Sequence, residues 1–492
     1  MDLYFSTDPN DSTFYIPVVI VLLLILCLAQ LCIFLCKRKI QFSSGDAGNC
    51  SMNNTLVRSL SFYDPEFLSN KEKLKYDYII AYILARASMW SKAPYLYTLY
   101  SQYHGFTVDE IGLLYIIDGF TALVSGPITG GLADKYGRRL FCQLYNLLII
   151  INLSIRLTRV KFLAYMAQIL TGIGTGLINT SFESWVVKES EKKFVNAEEE
   201  RGRFLKKLFK TTTIIDAVMS IVVSAFTAVV YTYFGIEAPF FISIILSFGA
   251  MVAMQLLWDE NVGSDETDNK NTYMEQKEEK TCEALEELKE RNVLSIGLIE
   301  SFFQACFNIY LFSWTPILTG STPLGKINVG YTFCIFIFTM ILGTNFFEIF
   351  ILYGNFKFYK SLTFLLFFEA ALFLLIYFIE NYYVRLALLA CINGCSGFYC
   401  PLNSIIKSKI INDKYRALLM NLFRVPLNIY VIIALFSLKF MDPFKIVIIS
   451  SVLMVCAFLI GLQLTIWPTP MDEGIESSSK KAKLQQSMIK DK

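Results

Sequence analysis

Apolar residues arrive in this chain as blocks, separated by short polar stretches. The first block covers 14–36 and runs straight into Lys37, Arg38 and Lys39. Residues 41–75 are rich in Ser, Asn and Gly and read as a linker. Twelve further blocks follow. Six lie at 76–100, 111–132, 140–155, 162–187, 211–234 and 239–258. Beyond a charged stretch at 259–291, six more lie at 293–318, 329–352, 362–379, 384–406, 417–438 and 444–467. A helix needs about 20 apolar residues to cross a bilayer, and only 140–155 falls well short. The pattern predicts an all-α polytopic membrane protein with two six-helix bundles and one extra amino-terminal transmembrane helix. The expected layout is an extra helix in 1–40, a linker at 41–75, a first half at 76–258, a central loop at 259–292, a second half at 293–467 and a tail at 468–492.

Composition agrees with this picture and narrows the chemistry. The chain is 54% hydrophobic and only 17% charged, where soluble domains carry about 25% charged residues. Its formal net charge of +2 gives no reason to expect a nucleic-acid partner. The 12 cysteines are scattered, with Cys142, Cys306 and Cys391 inside apolar blocks, and no spacing reads as a zinc site or a disulfide framework. The single histidine, His104, falls in a short loop and reads as an ordinary loop residue. With no HExxH, no GxSxG and no second histidine, the chain is expected to be no enzyme, with neither cofactor nor metal.

Charge also orients the chain. The first block is preceded by Asp2, Asp8 and Asp11 and followed by a basic cluster, which favours an uncleaved helix with its amino end outside. Asn10-Asp11-Ser12 on that end is an N-glycosylation acceptor triplet. With the carboxyl terminus cytoplasmic, most of the 44 Lys and Arg fall in cytoplasmic segments. Arg156, Arg159 and Lys161 break that rule in one outer loop. The central segment around 277–291 reads as a charged surface helix in which Glu287 and Arg291 can pair at i, i+4.

After the second core block stands Gly130-Gly131-Leu132-Ala133-Asp134-Lys135-Tyr136-Gly137-Arg138-Arg139, a tight turn that basic residues hold inside. It resembles the signature loop of the major facilitator superfamily, and the two-times-six pattern agrees over most of the chain. That resemblance implies two halves of inverted repeats with a site near the membrane midplane. It also implies a gating loop of Gly130, Asp134, Gly137, Arg138 and Arg139, with Asp134 touching the eleventh core helix in one conformation only. The resemblance narrows through Trp90-Ser91-Lys92-Ala93-Pro94-Tyr95, Phe182-Glu183-Ser184-Trp185, Trp314-Thr315-Pro316, Gly397-Phe398-Tyr399-Cys400-Pro401 and Asn421-Leu422-Phe423-Arg424-Val425-Pro426. Together these are similar to the molybdate-anion transporter subfamily, which implies uptake of a tetrahedral oxyanion at the plasma membrane. Met89 stands where that subfamily has an acid, and Glu300 and Gln304 stand exchanged relative to it.

The residues themselves mark polar stripes on apolar helices. Positions three and four apart share one helix face. The fourth core helix carries Gln168, Gly172, Thr175, Asn179 and Glu183; the seventh Glu300, Gln304 and Asn308; the first Ser88, Lys92 and Tyr95; the eleventh Asn421, Arg424 and Asn428. Lipid cannot satisfy such groups, so they must face the bundle interior or water. Arg424, two residues before Pro426, has five donors suited to an oxyanion, or else pairs with Glu183 or Glu300. The candidate substrate-binding set is Arg424, Asn421, Asn428, Lys92, Tyr95, Asn179, Gln304 and Asn308. Glu183 and Glu300 are candidates for proton coupling or ion pairing. Arg86 can add charge or extend to the interface. Asp118, Asp216, Glu348 and Glu369 read as pairing partners. Gly172, Gly174 and Gly176 form a small-residue packing face. The function expected is alternating-access transport of an oxyanion such as molybdate across the plasma membrane. The other readings are transport of a sugar or organic anion, and a transporter-like receptor that moves nothing.

Overall fold

A computed structural model describes residues 70–194, 197–261, 283, 285–319, 329–353, 357–412, 416–438 and 443–466. The expected amino-terminal helix, its Asn10 triplet, the linker and the carboxyl tail lie outside the described residues. Twelve long helices stand among those described. They are α1 (Asn70–Lys92), α2 (Val108–Tyr136), α3 (Arg138–Arg156), α4 (Lys161–Lys193), α5 (Glu198–Phe234), α6 (Ala238–Leu257), α7 (Arg291–Thr319), α8 (Val329–Tyr353), α9 (Phe358–Phe378), α10 (Tyr382–Ile410), α11 (Arg416–Ser437) and α12 (Ile446–Ile466). Nine of them, α4 to α12, are long and apolar enough to cross a membrane by length and composition. Several run past the apolar blocks into polar sequence, as α5 does by starting at Glu198. An acidic first turn, Glu198 to Glu200, favours that extension by meeting the positive end of the helix dipole.

The chain divides into two compact units. The first holds most of α1–α6 and the second most of α7–α12, with Thr107–Gly119 grouped in the second and Val329–Tyr331 in the first. Each unit uses the same internal packing. In the first, α1 lies on α4, α5 and α6, while α3 lies on α4 and α6. In the second, α7 lies on α10, α11 and α12, while α9 lies on α10 and α12. The pairs recur six helices apart. Glycine allows close backbone approach in both. A Cβ on Gly176 of α4 would sit 3.2 Å from the Gly126 Cα of α2. On α10, Gly394 and Gly397 press their backbones against Gly343 and Met340 of α8. Small residues let helix backbones meet where the surrounding lipid is as apolar as the helices themselves. The expected glycine face of α4 therefore packs, and large side chains such as Phe120, Phe248, Phe364 and Phe378 point outward.

α1 does not end cleanly. Pro94 has no N–H to give, and the chain tightens into a 3-10 turn at Ala93–Tyr95 before widening into a π-helical stretch at Leu99–Tyr103. In the central segment the anticipated Glu287–Arg291 pair does not form. Glu287 instead accepts from the Asn412 backbone N–H at 2.8 Å, and Arg291 donates to the Gln463 carbonyl at 3.3 Å. Uncapped backbone groups at helix ends compete for such side chains.

Candidate functional site

The signature loop is held by the short segment that follows α6. Gly137 has φ +117°, where L side chains strain, and a Cβ there would lie 2.6 Å from the Glu260 carboxyl. That space belongs to Glu260, whose oxygens accept from the Arg139 and Leu140 backbone N–H groups at 3.0 and 3.1 Å. The carboxylate thus satisfies orphan donors at the start of α3. Arg139 donates to the Trp258 carbonyl at 2.9 Å, and the Arg138 backbone N–H donates to the Asn261 carbonyl at 3.3 Å. Trp185 and Trp258 stack with centroids 3.9 Å apart, Tyr78 flanks them, and Trp185 Nε1 donates to the Asp259 carbonyl. Trp185, singled out by motif alone, therefore ties α4 to the segment that clasps the loop. The surroundings of Gly130 and the Asp134 side chain lie outside what is described.

Inside the first unit, Arg86 forms a two-pronged pair with Asp216 through Nε at 2.6 Å and through its terminal nitrogen. Trp90 Nε1 donates to the same carboxylate at 2.8 Å. Arg86 is thus neither free nor extended to the interface, and Asp216 is the pairing partner expected of it. Ser88 is not part of a polar lining; it packs against Ser243 and Ser247 of α6 at 2.9 and 2.7 Å. Glu183 and Thr175 are exposed, while the rest of the α4 stripe is split between packing and polar duties. The Asn179 side chain lies outside what is described.

The end of the first unit near Lys92 holds a second polar group. Lys92 is 8% exposed, and its Nζ is buried with no hydrogen-bond partner among the described residues. Tyr95 is fully buried and stacks on Tyr231. Arg156, read from sequence as an outer-loop residue, is the last residue of α3 and only 2% exposed. Its guanidinium donates to Gln168 Oε1 at 2.6 Å and to Thr171 Oγ1, and faces the Tyr100 ring at 5.5 Å. It makes no ion pair among the described residues. An arginine at a helix end ordinarily extends toward water, so its burial against Gln168, Thr171 and Tyr100 is not incidental. His104, in the connector between α1 and α2, is buried and its Nε2 donates to the Arg156 carbonyl at 2.8 Å. Burial pushes its pKa below the ordinary value; that hydrogen bond opposes the shift, and the charges of Arg156, Arg159 and Lys161 add to it.

The second unit arranges its polar residues around Glu300 of α7. Lys407 Nζ lies 3.4 Å from its carboxylate, Tyr399 donates at 3.0 Å, Asn403 donates as well, and Gln304 reaches it at 3.5 Å. Tyr399 also stacks on Phe303 with centroids 3.5 Å apart. The sequence reading does not include Lys407, Asn403 or Tyr399 among site residues; a polar stripe at 399, 403 and 407 on α10 is the signal it had available. Asn308 is exposed. On α11, Arg424 is exposed and makes no ion pair or side-chain hydrogen bond among the described residues. Its carbonyl accepts from the Asn428 side chain at 2.7 Å, two residues past Pro426 on the same helix. The Asn421 side chain lies outside what is described. Glu300 is thus answered within its own unit by Lys407. Glu369 of α9 is 1% exposed and has no hydrogen-bond or ion-pair partner among the described residues. No group of His, Cys, Asp and Glu suited to a metal occurs among the described residues.

Long apolar helices, paired six-helix units and a glycine-arginine loop clasped at one end define a class: a multi-pass, all-helical secondary transporter of the major facilitator type, not an enzyme. Solved structures share the fold. A point mutant of the nucleoside transporter NupG matches with a TM-score of 0.63 at 14% identity over 80% of this chain and 99% of that one. A peptide transporter POT in complex with sulfate matches with a TM-score of 0.62 at 14% identity, over 80% and 94%. The chain belongs to the family described as sugar transporters with 12 TM segments (MFS_5), whose pattern it matches over residues 54–395. Among curated relatives, the molybdate-anion transporter of Xenopus tropicalis is 26% identical over 373 residues, 73% of this chain and 77% of the relative. That of Danio rerio is 33% identical over 110 residues, 22% of this chain and 23% of the relative.

Proposed function

We propose that this protein carries a small tetrahedral oxyanion, molybdate above all, across the plasma membrane by alternating access. The observation that carries the reading is Arg424: mid-helix, exposed, and free of any acid among the described residues. An arginine in a membrane helix needs water, an acid or an anionic ligand, and its planar fork suits an oxyanion. The distant molybdate-anion transporters support the same substrate class. In this reading Asn421, Asn428, Gln304, Asn308, Asn179 and Tyr95 supply neutral donors, Lys92 adds charge, and Glu183 is the candidate for proton coupling. Glu300 acts through its pairing with Lys407. The loop of Gly130, Asp134, Gly137, Arg138 and Arg139 gates the cytoplasmic side. An extra helix in 1–40 places the amino terminus outside, the linker at 41–75 and the central loop at 259–292 lie in the cytoplasm, and so does the tail at 468–492.

The family description favours a second reading, a sugar as substrate. Uptake of molybdate into cells expressing the chain, with sulfate and a sugar as competitors, separates the two. Saturable molybdate uptake that sulfate lowers and sugar leaves alone is expected. Arg424→Gln should reduce it about 10- to 100-fold with insertion unchanged, the scale of one charged hydrogen-bonding group. Wild-type uptake in that variant would overturn the assignment of Arg424, and sugar uptake without molybdate uptake would overturn the oxyanion.

A further inference from the structure

Besides the exposed arginine of α11, the first unit holds two cations that its acids do not answer. Lys92 Nζ and Arg156 Nε are both buried, and neither has an acceptor among the described residues. Lys92 lies close enough to Arg156 to feel its charge. The acids of the unit are engaged or distant. Asp216 is taken by Arg86 and Trp90. Glu189 pairs with Lys192 and Lys193, and Glu237 pairs with Arg159. Asp77 lies beside Trp258, and since Lys92 stands 15 positions further along α1 the rise of a helix sets them roughly 20 Å apart. Exposed Glu183 feels Arg86. Two like charges buried within reach of each other's field repel, and each has lost its water. A ligand of opposite sign between them would relieve both costs at once.

The backbone points to the same place. Lys92 is the last regular residue of α1, and directly after it come the 3-10 turn with Pro94 and the π-helical stretch that contains Tyr100. Single π-helical turns of this kind are frequent at functional sites. Tyr100 lays its ring on Arg156, while Gln168 and Thr171 of α4 fix the guanidinium plane. Arginine held in a fixed orientation presents its remaining donors without further loss of freedom.

We propose that Lys92 and Arg156 form a buried binding site for one small tetrahedral dianion inside the first unit, with Gln168 and Thr171 as positioning residues. The ligand class rests on the oxyanion reading above; the site extends it from one arginine in the second unit to a two-charge seat in the first. Arg156 and a protonated Lys92 together match a charge of −2, whereas a tetrahedral ion of charge −1 leaves Lys92 either buried and unpaired or without its proton.

The test uses the purified full chain in detergent, titrated with sodium molybdate and with sodium perrhenate, a tetrahedral monoanion. Wild-type protein should bind molybdate more tightly and be stabilised by it against heat. Lys92→Met should lose about tenfold or more in molybdate affinity, as removal of a charged hydrogen bond does, while perrhenate changes little. The same variant should melt higher than wild type without ligand, because a buried unpaired charge is gone. A merely structural lysine would not move the ratio of the two anions. Arg156→Lys keeps the charge and should keep the dianion preference; Arg156→Gln should lose it, and if that variant fails to fold, Lys92→Met alone decides. Molybdate binding in Lys92→Met with wild-type affinity and selectivity would overturn the site. Binding that depends on Lys92 in a protein without molybdate uptake would leave this site standing and sink the transport reading. Uptake that depends on Arg424 while Lys92→Met binds as wild type would do the reverse.

Discussion

In the first unit Arg86 meets Asp216, yet Lys92 and Arg156 lie buried without an acid among the described residues. In the second, Glu300 is met by Lys407, Asn403 and Tyr399, and a carboxyl, Glu369, is buried without a hydrogen-bond or ion-pair partner among the described residues. The two units repeat the same helix packing, so the difference is one of chemistry placed on a common frame. A carboxyl can take up a proton and become neutral, whereas a guanidinium stays charged in proteins. An unanswered acid therefore has a way to shed its charge that an unanswered arginine lacks. The lesson is that a buried arginine without an acid inside a membrane bundle is the stronger pointer to a ligand.

The comparison can be broken most forcefully at its paired site. Asp216→Asn leaves Arg86 and the Trp90 indole without their acceptor and should cost about 3 kcal/mol, seen as a lower melting temperature in detergent. The double variant Arg86→Gln, Asp216→Asn should recover much of it; no recovery would mean the pair is not coupled as described. Glu300→Gln should have a smaller effect, about 1–2 kcal/mol, because the amide still accepts from Tyr399 and Asn403 while Lys407 loses its counter-charge. A loss as large as that of Asp216→Asn would show that the second unit depends on its charge as much as the first.

The smallest effect concerns pH. His104 has a folded-state pKa below its usual value of about 6.5, so above that pH it is neutral folded or unfolded and its contribution is fully present. As pH falls through about 6.5 the unfolded chain takes up the proton first, and stability drops until the folded pKa is passed. His104→Gln, which keeps a donor for the Arg156 carbonyl, should flatten that loss. Heat stability measured between about pH 5 and 8 checks this; an unchanged slope in the variant would assign the effect to other groups.

Much of the helical frame was legible because the bilayer imposes a length and lets no lipid-facing polar residue pass without reason. The stripes at Glu300, Gln304 and Asn308 and at Lys92 and Tyr95 followed from the helical period. The same reasoning misplaced Arg156. Basic residues bounding an apolar block look like loop, and the rule that counts them cannot tell a solvated arginine from one folded back onto α4. Ser88 fell on a polar stripe by spacing, but hydroxyls also serve helix packing, as its contacts with Ser243 and Ser247 demonstrate.

By itself the sequence determined the number and spacing of the core helices, the tight glycine-arginine loop and the family, all consequences of local composition and period. Only the tertiary structure decided partners: that Asp216 belongs to Arg86, that Lys407 answers Glu300, that Glu260 fills the space beside Gly137, and that Lys92 and Arg156 share a buried neighbourhood with no acid among the described residues. The physical reason is range. Helix formation and membrane crossing are set by residues a few positions apart, whereas charge pairing depends on side chains more than a hundred positions apart, as Arg86 and Asp216 are, meeting at hydrogen-bond distance.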